Sequence, residues 1–134
     1  MDEDPVAAEW ILRAMLAMAT ADGNLDEREI VLVRQTYREL SAKVLAREDI
    51  TKAAEANLKA GDFLAELAAV APLLSAPTKE EIIRAAYLVL LADGQITGEE
   101  GKKLEDIAEA LGIAGRQLGT ILDDLAVALA TRNR

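Results

Sequence analysis

The same helix–loop–helix pattern occurs twice in this chain, and that duplication restricts the possible fold more than any other feature. Residues 10–30 read WILRAMLAMATADGNLDEREI and residues 81–101 read EIIRAAYLVLLADGQITGEEG, a constant offset of 71 residues. Ile11, Arg13, Ala14, Ala21, Asp22, Gly23 and Glu29 meet the identical Ile82, Arg84, Ala85, Ala92, Asp93, Gly94 and Glu100, so 7 of 21 positions match. Leu12/Ile83, Asn24/Gln95 and Leu25/Ile96 are close in type. The spacing predicts two structural halves. Each has an apolar helix, an Asp-Gly corner, and a second helix opening with a Glu seven residues after the Asp.

Composition turns those halves into helices of one domain. The 134 residues are 51% hydrophobic with only 3% aromatic. Ala and Leu dominate, which favours helix over strand. The length suits a single core. No Cys and no His occur. Thiolate nucleophiles, His-based triads, and zinc or haem sites built on sulfur or imidazole are therefore excluded. The acidic start MDEDPVAAEW is not a secretory signal, and no apolar run reaches the ~20 residues of a membrane span. A cytoplasmic location is expected, without membrane association. The net charge of −9 repels nucleic acid and anionic lipid and leaves basic partners or hard cations as natural ligands.

Periodicity and caps predict a compact, all-α single-domain bundle of about seven helices, with pseudo-twofold halves at about 5–71 and 78–131 and a linker at about 72–77. The first helix follows Pro5 and runs to about Ala21. The second starts at the Asp26-x-x-Glu29 capping spacing, its stripe continuing through Tyr37 to Val44. The third covers about 49–60 with a thin apolar face of Ile50, Ala54 and Leu58. The fourth covers about 62–71, broken by Pro72. A Thr78-x-x-Glu81 box opens the fifth, about 79–92, whose broad apolar surface predicts a central place. The sixth runs about 98–111 to Gly112. The seventh runs about 114–131 and carries Leu118, Ile121, Leu122, Leu125 and Leu129. Trp10, Met15, Met18 and Tyr87 read as core.

The Asp-Gly corners are the candidate chemistry, and they read two ways. Gly23 and Gly94 can close a helix in the left-handed conformation. Asp26 and Thr97 can cap the next helix, with Glu29 and Glu100 returning the bond. Asp22 and Asp93 are left over, because a carboxylate at a helix C-terminus is opposed by the dipole. The other reading is a divalent cation in each corner. Ca²⁺ or Mg²⁺ wants several hard oxygens. Asp22, Asn24, Asp26 and Glu29 could supply them in the first half, and Asp93, Gln95, Thr97 and Glu100 in the second. An EF-hand is rejected: Gly stands at the second place of DGNLD instead of the sixth, and the twelfth place is Val33.

ADGNLDEREI and LADGQITGEEGKKLEDIAEALGI resemble the two signature segments of the tellurite-resistance TerB-like family, which is also similar to the N-terminal domain of DjlA-type membrane-anchored co-chaperones. The resemblance implies a seven-helix domain with pseudo-twofold halves, a link to tellurite or other chemical stress, and metal-chelating acids. By position these are Asp22 and Glu29 with Asp93 and Glu100. Thr97 departs from the family pattern, standing where the first half has Asp26, which weakens the second site. The J domain and membrane anchor of the co-chaperones are absent from these residues.

The leading expectation is a non-enzymatic, stress-associated module that binds a divalent cation and a protein partner. The alternative is a metal-free interaction domain, monomeric or homodimeric, that docks a basic or apolar partner. Exposed apolar residues on the third or seventh helix would favour it. Acid–base catalysis by Asp123-Asp124 or Glu99-Glu100 is disfavoured, because adjacent helical residues face different ways. Arg13 and Arg84 either pair with carboxylates of the other half or reach to solvent.

Overall fold

A computed structural model describes residues 5–20, 27–41, 43–60, 62–92 and 98–132. Those residues form seven α-helices and no strand: α1 Pro5–Ala19, α2 Glu27–Ser41, α3 Arg47–Ala60, α4 Phe63–Val70, α5 Ala76–Ala92, α6 Gly98–Ala110 and α7 Gly115–Arg132.

The centre of the bundle is the pair α1 and α5, which make its most extensive helix–helix contact. Both are rich in Ala and Leu-like residues. Ala14, Met15 and Leu16 on α1 and Ile82, Ile83, Ala85 and Ala86 on α5 have no exposed surface. Alanine at the crossing lets the two backbones approach closely, while Met and Ile fill the flanking space. Around this pair, α1 also packs on α2 and α3, α5 on α6 and α7, and α4 on α6. The core runs without a break from Trp10 to Ile121 through all seven helices.

Helix ends follow local chemistry. Gly112 adopts φ 78°. It donates its N–H to the Glu109 carbonyl at 3.0 Å, and Ile113 donates to Ala108 at 2.9 Å. This is the paired bonding by which a left-handed glycine closes a helix. The Asp62 carboxylate accepts the Ala65 N–H at 3.2 Å and starts α4.

The region between α4 and α5 departs from the expected linker. Ala71–Leu73 form a 3₁₀ turn with Pro72 inside it. α5 then begins at Ala76, earlier than the Thr78 box implied, with Pro77 in its first turn. Proline is tolerated there because the first N–H groups of a helix have no internal acceptor. Ser75 serves as the cap instead: its hydroxyl accepts the Thr78 N–H at 3.3 Å and donates to the Thr78 hydroxyl at 2.9 Å.

Three expected core positions lie further out. Val44 follows the end of α2 and is exposed, Leu58 on α3 is exposed, and Tyr87 is half-buried at the edge of the core. On α7, Leu118 and Ile121 are buried, whereas Leu122 and Leu125 are half-buried. Leu58 on α3 and Val127 on α7 are 57% and 67% exposed.

Candidate functional site

The two corners connect α1 to α2 and α5 to α6. Asp22, Asn24, Asp26, Asp93, Gln95 and Thr97 lie outside the described residues, as does the side chain of Glu100, whose backbone belongs to the first turn of α6. What is described is the frame on either side. α1 ends in a buried Thr20, whose N–H and hydroxyl both donate to the Leu16 carbonyl, at 2.9 and 2.7 Å. The two hydrogen bonds hold the last turn in place where the chain leaves for the first corner.

Across that corner, Glu29 lies in the first turn of α2 and is 4% exposed, the one buried acidic side chain among the described residues. Removing a carboxylate from water is costly without compensation. The positive end of the α2 dipole supplies part of it, and Glu29 is engaged in polar contacts within the fold. Among the described residues no group of three or more acidic side chains converges on a point. Every buried side-chain nitrogen and oxygen among them has a hydrogen-bond partner.

The best-defined polar constellation surrounds Arg13. Its guanidinium lies 4.5 Å from the Trp10 ring centroid and 5.4 Å from that of Phe63, and the two rings are 6.0 Å apart. Nε donates to the Asn57 side-chain oxygen at 2.9 Å, and an Nη donates to Glu66 at 3.1 Å. Asn57 in turn donates to the Arg13 carbonyl at 3.2 Å. Residues of α1, α3 and α4 are thereby tied at one point. The planar guanidinium can stack on rings and bond at its edge together, which an ammonium cannot. Arg13 thus pairs within its own half, and the expected pairing with the other half does not occur there. Arg84 is exposed and makes no hydrogen bond or ion pair among the described residues.

Asn57 and Glu66 were not singled out from the sequence. The available signals were Trp10 three residues before Arg13, on the same helical face, and an Asn within the thin apolar face of α3. Two further ion pairs, Arg47–Glu27 and Lys102–Asp106, lie at the surface and contribute little.

The described residues form an all-helical bundle, and the chain matches a known family. The family model described as tellurite resistance protein TerB matches residues 43–122, more than half of the chain. The chain belongs to the TerB family. The matched segment runs from just before α3 into α7 and includes the second corner. The first corner lies before it and is tied to the second by the 71-residue repeat. No curated protein and no solved structure gives a significant match. No helix among the described residues is long and apolar enough to cross a membrane.

Proposed function

We propose that this TerB-family chain is a non-enzymatic module of the tellurite-resistance type that takes up a divalent cation, Ca²⁺ or Mg²⁺, at its helix corners. Asp22, Asn24, Asp26 and Glu29 would hold it in the first corner, and Asp93 and Glu100, with Gln95 and Thr97 beside them, in the second. The observation that carries this reading is the burial of Glu29 directly after the Asp22-to-Asp26 segment. A buried carboxylate that follows further hard-oxygen donors closely in the sequence is the donor chemistry that such cations select. A bound cation would neutralise acidic charge and tie α1 to α2 and α5 to α6. The second corner is the weaker, because Thr97 replaces a carboxylate.

Thermal unfolding of chelator-treated protein tests the proposal. A cation that binds only the folded state stabilises it by roughly 2.7 kcal/mol at 100 times its Kd. Millimolar Ca²⁺ or Mg²⁺ is therefore expected to raise Tm by several degrees, and Asp22→Ala to reduce the response. An unchanged Tm in both cations would remove the cation from the function.

A further inference from the structure

We infer that the cleft between α1 and α3 is a docking site for a lysine side chain on a basic segment of a partner protein. The cleft is about 350 Å³ in volume. Leu12, Ala53 and Ala56 supply its apolar surface, and Glu9 and Glu66 line it as carboxylates. This surface is separate from the corners and does not depend on the cation.

The site is shaped by the Arg13 constellation. Stacking on Trp10 and Phe63, together with the bond to Asn57, fixes the guanidinium along one side of the cleft. Arg13 then holds one oxygen of Glu66, which remains 44% exposed. Glu9 is exposed and makes no ion pair or hydrogen bond among the described residues. Two carboxylates thus meet one cation that is already committed. The alanines leave space where larger residues would close the cleft.

A lysine matches both parts of this lining. Its four-carbon stem covers apolar surface while its ammonium seeks carboxylates. An anionic or purely apolar group would leave Glu9 uncompensated. The net charge of −9 adds long-range attraction for a basic segment and raises its rate of encounter.

The test is an NMR titration of the full chain with the peptide acetyl-KAAKAAK-amide and with the same peptide carrying norleucine for lysine. The lysine peptide is expected to shift the amide signals of Leu12, Ala53 and Ala56, and the norleucine peptide to leave them unchanged. Glu9→Gln is expected to weaken binding roughly 2–5-fold, the effect of losing one exposed charge partner. Glu105→Gln, on the exposed face of α6, is expected to weaken it less. Ala56→Phe, which fills the cleft from an exposed position, is expected to abolish the shifts while the circular-dichroism melt stays cooperative. Ala53→Leu serves in its place if Ala56→Phe does not fold. Absence of shifts in the wild-type chain, equal weakening by Glu9→Gln and Glu105→Gln, or binding that survives the filled cleft would each overturn the inference.

Discussion

Arg13 and Arg84 occupy equivalent places in the two repeats, yet their surroundings share almost nothing. Arg13 lies against the Trp10 and Phe63 rings and is bonded to α3 and α4, while Arg84 projects from α5 into solvent. The neighbours account for the difference. Where the first unit has Trp10 the second has Glu81, so the ring against which Arg13 lies has no counterpart beside Arg84. The apolar positions behave otherwise: Ile11 and Ile82, like Ala14 and Ala85, are buried in both units. Repeating apolar residues at helical spacing reproduces a core-facing stripe wherever it occurs. Repeating a polar residue reproduces nothing unless its partners on other helices are repeated too.

The comparison can be broken most forcefully in the core. Leu16 is fully buried, while its counterpart Tyr87 is only half-buried. Leu16→Ala is expected to cost about 2–5 kcal/mol in denaturant unfolding. Tyr87→Ala should cost less, because part of its ring already faces water. An equal or reversed order would mean that the second unit is as deeply packed there as the first.

The arginines give the next effect. Arg13→Ala removes the ring stacking and two side-chain hydrogen bonds, and should cost about 1–2 kcal/mol. Arg84→Ala should stay within about 0.5 kcal/mol. Arg13→Lys should fall between wild type and Arg13→Ala, because an ammonium cannot reproduce the stacked fork. Matching losses at both arginines would erase the distinction between the units. Gly112→Ala is expected to cost about 1 kcal/mol through its left-handed φ. Since nothing lies within 4 Å of an added Cβ there, the loss measures backbone strain at the end of α6 alone.

Much of the fold was legible because it depends on short-range patterns. Seven amphipathic runs, Gly112 as a terminator and the buried stripes of α1 and α5 all follow from residues within a few turns of one another. The start of α5 was misplaced because Thr78-x-x-Glu81 and Ser75-x-x-Thr78 are competing caps, and Pro77 fits the first turn that Ser75 opens. The Arg13 constellation was only half legible. Trp10 is local to Arg13, whereas Asn57 and Glu66 reach it only through the packing of α3 and α4. The corner residues stood out in the sequence as a repeated motif, and the second corner falls within the segment matched by the family. Of the six proposed cation ligands, only Glu29 has a described side chain, and its burial is a tertiary property. The seven-residue spacing from Asp22 could not express it.

The proposed cation sites lie in the two corners, with the first expected to be the stronger. Calorimetric titration of Ca²⁺ into chelator-treated wild type, Asp22→Asn and Asp93→Asn measures this directly. Two unequal sites are expected, the tighter one lost in Asp22→Asn and the weaker one in Asp93→Asn. Wild-type protein that gives no binding heat with Ca²⁺ or with Mg²⁺, or loses its tighter site through Asp93→Asn, would contradict it.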